Sequence, residues 1–223
     1  MLDFLGTIAA AGITVFVVGA LLVYLEVSRT IKVALAAGFG LWIGLATAAG
    51  AAGWLAIASP FPVMGIFVAA PLLAAVFAIS WPAARKAMLG LPLPLMVGLN
   101  ICRVFAVLFL LLMAEGRLSG PFPYSAAWGD IITGAAALPL LWLAINYKRH
   151  KALLHLWNAF GMLDLVLAIA LGVTSAAGSP LQIFHDGPGS EAMQSLPWST
   201  VPAVLVPLWM ILHAVIWARL RRA

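Results

Sequence analysis

Five polar side chains interrupt apolar stretches of the sequence that are each long enough to cross a bilayer. An ionisable group near the centre of a bilayer is costly, so its presence there indicates a functional site, a charge partner, or both. Side chains of these types can hold a polar ligand, neutralise one another or pass a proton. The five candidate binding residues are Asn100, Arg103, Asn158, Asp164 and His213.

Arg103 and Asp164 are the charged members of this set, and we expect them at similar depth. At about 1.5 Å per residue, they lie roughly 13 Å and 18 Å from the predicted ends of their helices. We therefore predict that the two side chains pair. A buried pair seldom adds net stability, so two interpretations remain: a structural salt bridge, or a pair that lines a substrate or proton site. The nearby amides of Asn100 and Asn158 favour the second.

His213 is expected between two indoles, because Trp209, His213 and Trp217 recur at four-residue spacing. Such an imidazole can hydrogen-bond a neighbouring helix, relay a proton or act as a ligand. His155 is predicted at comparable depth on the preceding helix. A haem b held by both histidines is therefore an alternative, and the chain would then be a redox protein or an enzyme holding haem or quinone.

Asp130 completes the candidate binding residues. It follows Trp128 and Gly129 at the predicted start of a helix, where an acid is a favoured N-cap and suits the positive end of the helix dipole. The alternative is an outer gate or cation site that Asp130 shares with Glu115.

Metal sites and common catalytic motifs are not indicated. Cys102 is the single cysteine, so neither a disulfide within the chain nor a cysteine-based zinc or iron–sulfur site is expected. The sequence contains no His-x-x-x-His or Glu-x-x-His pattern, no Gly-rich phosphate loop and no Gly-x-Ser-x-Gly elbow. We expect no metal site, and the sequence leaves open whether the protein is an enzyme.

Composition sets the class of protein. Of the 223 residues, 65% are hydrophobic and only 9% are charged, whereas about 25% of the residues in a soluble domain are charged. These values exclude a soluble globular protein, a disordered chain and a nucleic-acid binder, although the formal net charge is +5. An all-α polytopic membrane protein is expected.

Seven apolar runs predict a bundle of seven transmembrane helices in a single domain, 1–223. A helix needs about 20 apolar residues to cross the hydrocarbon core. Breaks rich in proline and glycine fall at 59–62, 120–123 and 178–199. The predicted helices cover 4–26, 33–58, 63–81, 94–115, 129–147, 152–175 and 200–218.

Seven helices place every basic cluster on one side of the membrane. The clusters follow the first, third, fifth and seventh helices, so the positive-inside rule puts the N-terminus outside and the C-terminus in the cytoplasm. They consist of Arg29 and Lys32, of Arg85 and Lys86, of Lys148, Arg149 and Lys151, and of Arg219, Arg221 and Arg222.

A stripe of small residues marks the second helix, where Gly40, Gly44 and Ala48 recur at four-residue spacing. Small residues let helices approach closely. We expect this stripe to pack inside the bundle, and a homo-oligomer interface is the alternative.

Four segments of the second half carry a distinctive combination of polar, aromatic and proline residues. They are Asn100-Ile101-Cys102-Arg103, Gly120-Pro121-Phe122-Pro123 running to Trp128-Gly129-Asp130, the segment 156–164, and Leu196-Pro197-Trp198 leading to Pro207 and His213. Together they resemble a family of uncharacterised bacterial membrane proteins, over about residues 95–219. The resemblance implies that these segments form one unit, so that Arg103, Asp130, Asn158, Asp164 and His213 could share a single site. With the Ala- and Gly-rich composition, it suggests a multi-pass protein of the bacterial inner membrane.

The leading hypothesis is a membrane protein that binds, transports or senses a small molecule or ion between its fourth, sixth and seventh helices. Arg103 would hold an anionic or polar group, the two asparagines would orient it, and Asp164 would neutralise or switch the charge. His213 would carry protons towards the cytoplasm. The alternatives are the redox protein described above and a structural subunit of a membrane complex. The expected partners are the lipid bilayer and the small molecule or ion, without nucleic acid.

Overall fold

The computed structural model describes residues 1–56 and 63–222, and every regular element in these residues is helical. Seven of the helices are long and apolar enough to cross a membrane, so the prediction of an all-α chain with seven apolar helices is confirmed. The helices are α1 (Leu2–Tyr24), α2 (Arg29–Ala51), α3 (Val63–Ser80), the short α4 (Pro82–Gly90), α5 (Leu93–Ala114), α6 (Pro121–Ile145), α7 (Lys151–Ser175) and α8 (Val201–Arg221).

The start of α6 corrects the sequence prediction. The proline-containing segment 120–123 was expected to be a loop, with the helix beginning at 129, but α6 begins at Pro121. Proline is favoured in the first turn of a helix, because its missing N–H would have no partner there in any case. Asp130 consequently lies well inside α6 rather than at its N-terminus.

The bounds of α2 also differ from the prediction of 33–58. The helix begins at Arg29, because the hydroxyl of Ser28 accepts a hydrogen bond from the backbone N–H of Ile31 at 3.3 Å and so caps its first turn. It ends at Ala51, shortly before Gly53, which adopts a φ of +73° that favours glycine. The predicted end at 58 and the predicted break at 59–62 lie outside the described residues.

Burial divides the bundle into a core and a periphery. Helix α6 packs against α5 and α7, and α8 packs against α7. Most of α8 is buried, whereas no residue of α3 is buried. Helices α5 to α8 therefore form the packed core, and α1 to α3 leave large apolar faces exposed, as expected for helices whose outer surface meets lipid.

The small-residue stripe of α2 faces away from this core. Gly40, Gly44 and Ala48 are exposed, and a Cβ added at either glycine would have no neighbour within 4 Å. The expectation that the stripe packs inside the bundle is therefore wrong, because the apolar pattern could not tell an inward face from an outward one. The homo-oligomer alternative stays a prediction.

The two ends of the bundle are closed differently. At one end, Asp3 accepts hydrogen bonds from Trp198 Nε1 at 2.7 Å and from Arg117 Nη1 at 2.8 Å, which ties α1 to the segments that flank α5 and α8. At the other end, Arg219 donates to the carbonyl oxygens of Leu89 and Leu91, which ties α4 to α8. We call this second end, which carries Arg85, Lys86, Arg221 and Arg222, the basic end.

Candidate functional site

The middle of α5 has an irregular backbone at the position of its polar residues. Residues Asn100–Ala106 form a 3₁₀-helix between two α-helical segments. This segment approaches α6 at Gly134, where a Cβ would lie 3.0 Å from the carbonyl oxygen of Asn100 and 2.9 Å from a methyl group of Val104. Glycine is thus needed at 134 for the two backbones to come this close. Long 3₁₀ segments inside a helix are uncommon and often mark hinges.

Arg103 projects from this segment into the centre of the core and bonds to three helices. Its Nε donates to Asp130 of α6 at 2.5 Å, and its Nη2 donates to Asp164 of α7 at 2.6 Å. Its Nη1 donates to the carbonyl oxygen of Gly161 at 3.3 Å and to His213 of α8 at 2.8 Å. The predicted pair of Arg103 and Asp164 is confirmed, and Asp130 is a second carboxylate partner.

His213 is held in one tautomer by its two partners. Arginine cannot accept a hydrogen bond, so Nε2 of His213 must be the acceptor from Arg103. Nδ1 then carries the proton and donates to Oδ1 of Asn158 at 2.8 Å, and Nδ2 of Asn158 donates to the carbonyl oxygen of His213 at 3.0 Å. The imidazole is therefore neutral in this arrangement. We call Arg103, Asp130, Asn158, Asp164 and His213 the Arg103 cluster.

The charges within the Arg103 cluster are not balanced. It contains one guanidinium, which stays protonated in proteins, two carboxyl groups and a neutral imidazole. Arg103 and His213 are fully buried, and Asp130 and Asp164 are each only 6% exposed. With both carboxylates ionised, the cluster carries one uncompensated negative charge away from solvent, which is energetically costly.

Two glycines make the space that the cluster occupies. A Cβ at Gly129 would overlap the carboxylate of Asp164, and a Cβ at Gly161 would lie 2.6 Å from Cε1 of His213. The role of Gly129 is not predicted from the sequence. Its proximity to Asp164 depends on how α6 packs against α7, and no spacing in the sequence reports that.

Polar groups around the cluster were only partly foreseen. Thr133 was missed: its carbonyl oxygen accepts a hydrogen bond from Trp157 Nε1 at 3.0 Å, and its hydroxyl is buried. Asn100 lies within the same core but bonds locally, its Nδ2 donating to the carbonyl oxygen of Met96 at 2.9 Å. Within residues 1–56 and 63–222, neither Oδ1 of Asn100 nor Oγ1 of Thr133 has a hydrogen-bond partner.

The two sequence-based roles for Asp130 are both wrong. Asp130 is not an N-cap, because α6 begins at Pro121. It does not share an outer site with Glu115, because its carboxylate is bonded to Arg103 inside the core, while Glu115 lies 3.8 Å from Arg117 beyond the end of α5. The physical reason is the same in both cases: two additional turns of α6 carry Asp130 inwards.

The histidines have separate environments. His155 packs edge-on against Trp217, with 5.1 Å between the ring centroids. Both ring nitrogens of His213 are already hydrogen-bonded, to Arg103 and Asn158. To ligate a haem iron, His213 would have to release one of these buried partners, so the geometry favours a hydrogen-bonding role. No group of three or more potential ligands among His, Cys, Asp and Glu in the described residues is arranged to hold a metal ion.

The fold and the site together define a helical bundle with seven candidate membrane spans and a buried charged cluster. A family model described as a domain of unknown function, DUF8737, matches residues 60–221, and the chain belongs to this family. The match includes all the helices that build the Arg103 cluster and begins earlier than the resemblance over about 95–219. No curated protein and no solved structure matches the chain.

Proposed function

We propose that the chain is a multi-pass integral membrane protein that couples the transport of a small molecule or ion to proton uptake, with the Arg103 cluster as its proton site. The N-terminus lies outside and the C-terminus in the cytoplasm, by the positive-inside rule. A bacterial inner membrane fits the Ala- and Gly-rich composition. The observation that carries the proposal is the bonding of one buried guanidinium to two carboxyl groups, Asp130 and Asp164.

A proton is the ligand that best restores neutrality to the cluster. Among the described residues, Arg103 on α5 bonds to Asp164, and the same guanidinium bonds to Asp130 on α6 and to His213 on α8. The guanidinium nitrogens lie 2.5 Å and 2.6 Å from the two carboxylates, so they already fill the position that a metal cation would take. One proton on either carboxyl group removes the excess charge without displacing Arg103.

Proton uptake would weaken one bond to Arg103 and so couple charge to helix position. A protonated carboxyl group is a poorer partner for a guanidinium than a carboxylate is. The helices around the cluster contain segments where the regular backbone bonding is already interrupted: the 3₁₀ turns of α5, Pro139 in α6 and the π-helical turn Val201–Leu205 of α8. An anionic or polar group of the substrate would take the place on Arg103 that the protonated carboxyl gives up.

Infrared difference spectroscopy tests the proton site directly. The purified protein in lipid nanodiscs is titrated from mildly alkaline to mildly acidic pH, and the carbonyl stretch of a protonated carboxyl group is followed. We expect this band in the wild-type protein under conditions where solvated carboxyl groups remain ionised. It should be lost in Asp164→Asn or Asp130→Asn and kept in Glu115→Gln, a control outside the core.

Transport is tested separately in proteoliposomes that contain a pH-sensitive dye. Candidate anionic and polar solutes are added under an imposed proton gradient, and substrate-dependent acidification of the lumen is measured. Coupled transport predicts a signal that Asp164→Asn abolishes.

In the infrared titration, a protonated-carboxyl band that is missing at every pH, or unchanged in both cluster variants, would contradict the proton site.

A further inference from the structure

A groove at the basic end lies between α4 and the C-terminal end of α8. Its volume is about 370 Å³, and its lining includes Arg85, Lys86 and Arg222. A second groove of about 280 Å³ adjoins it, shares Arg85 and Arg222, and adds Arg221. Arg219 fixes α4 against α8 through the carbonyl oxygens of Leu89 and Leu91, so the walls are held together independently of the lining cations.

The cations of these grooves differ from the guanidinium in the core, because no carboxylate of the described residues pairs with them. In the described part of the chain, Arg85, Lys86, Arg221 and Arg222 form no ion pair with an acid, and no acidic residue lines either groove. Arg221 instead stacks on Trp217, with 5.1 Å between its guanidinium carbon and the ring centroid. The three cations that line each groove would strongly attract an anion with several oxygen acceptors, such as a phosphate.

One wall of the second groove is apolar. Ile79 of α3, Met88 of α4 and Val215 of α8 line it beside the arginines. About one turn before Ile79, α3 exposes Val76, at 64%. The site therefore places cations beside apolar side chains. A phospholipid has the complementary arrangement, because its phosphate is joined to acyl chains.

We propose that these grooves bind the phosphate headgroup of an anionic phospholipid at the cytoplasmic surface, with an acyl chain lying along α3. The short helix α4 fits an interfacial position: Arg85 and Lys86 are exposed and Ala87 is buried, and Trp81 precedes its first turn. Amphipathic helices of this kind lie in the headgroup region, and clustered cations at this surface attract anionic lipids. The inference relies on membrane insertion but not on the proton site.

Native mass spectrometry of the full chain in detergent tests the site. The probes are phosphatidylglycerol, phosphatidylcholine with the same acyl chains, and glycerol phosphate without acyl chains. The groove variant is Arg85→Gln/Arg222→Gln, since both residues line both grooves. The matched control is Lys148→Gln/Arg149→Gln, which removes two cations elsewhere at the same predicted membrane surface.

Each outcome of this experiment decides for or against the lipid site. We expect phosphatidylglycerol to bind more tightly than phosphatidylcholine, and the groove variant to weaken its binding by about thirtyfold, at about 1 kcal/mol per cation. The control should bind like the wild type. Equal binding of the two lipids would overturn the proposal. Equal binding of glycerol phosphate and phosphatidylglycerol would also overturn it, in favour of a soluble phosphate ligand.

A charge-preserving pair, Arg85→Lys/Arg222→Lys, serves as the folding control for the glutamine variant. It should keep most of the lipid binding. If the glutamine variant fails to fold, the comparison of the three probes on the wild-type protein still decides the proposal. A failure here leaves the infrared titration of the Arg103 cluster unaffected, so the two proposals can fail separately.

Discussion

The Arg103 cluster and the basic end place opposite charge imbalances in opposite environments. In the core, two carboxyl groups face one guanidinium, and Arg103 is fully buried. At the basic end, four cations line two adjoining grooves, and no acid lines either groove in the described residues. In the proposed function a proton relieves the buried imbalance, whereas the exposed cations can be solvated by water, screened by counterions or, in the proposed lipid site, bound by a headgroup.

This difference determines what each charge can contribute to stability. When a buried charge loses its partner, no water takes the place of that partner. Removing one member of a buried pair therefore lowers the stability of the core strongly. An exposed charge is solvated and screened, so removing it changes binding more than folding.

Replacing Arg103 should cause the largest loss of stability. Arg103→Met leaves two buried carboxyl groups without a cation, so we expect a loss of about 3–5 kcal/mol in the free energy of unfolding. Thermal or denaturant unfolding in detergent measures it. Neutralising the acids as well, in Arg103→Met/Asp130→Asn/Asp164→Asn, should restore most of the loss. If Arg103→Met were as stable as the wild type, the stability of the core would not depend on pairing Arg103 with the two carboxyl groups.

Replacing His213 should have the next largest effect. His213→Phe removes the acceptor of a charged hydrogen bond from Arg103 and the donor to Asn158, at a cost of about 1.5–3 kcal/mol. His155→Phe keeps the ring contact with Trp217 and should cost less than about 0.5 kcal/mol. A visible spectrum with haem bands that His213→Phe abolishes would instead support the redox alternative.

Replacing either glycine beside the cluster by alanine should lower the free energy of unfolding by about 1–3 kcal/mol, the usual cost of overpacking. Gly129→Ala would push on Asp164, and Gly161→Ala would push on His213. Gly44→Ala is the matched control, since a Cβ there meets nothing within 4 Å, and alanine should stabilise α2 by up to about 1 kcal/mol. Equal effects at all three positions would contradict the close packing described around the cluster.

Arginine replacements at the basic end should have the smallest effects on folding. Arg219→Gln gives up hydrogen bonds to the carbonyl oxygens of Leu89 and Leu91 and should cost about 1 kcal/mol. Arg85→Gln, on the exposed face of α4, should change the free energy of unfolding by less than about 0.5 kcal/mol. Unfolding curves in lipid-free detergent separate these effects from lipid binding. A larger loss of stability in Arg85→Gln than in Arg103→Met would contradict the contrast between the basic end and the Arg103 cluster.

Much of the candidate site could be predicted from the sequence, because polar residues in long apolar runs are conspicuous. Arg103 and Asp164 were paired from depth alone, and the structure places them in contact at 2.6 Å. The prediction for Asp130 is wrong, because the pattern at 120–123 predicts a loop although Pro121 begins a helix. A proline near a helix boundary is compatible with either side of that boundary, so composition could not decide.

The amino-acid pattern alone predicts that the chain is helical, that seven helices are long and apolar enough to cross a membrane, and which polar residues stand inside them. Apolar length and the cost of burying charge are local properties, so they can be inferred from the sequence. The packing of the helices shows in addition that two acids share one arginine, that Gly129 makes room for Asp164, and that the stripe of α2 faces outwards. Those facts depend on the rotation and approach of helices distant in sequence, which are set by packing rather than by any single segment.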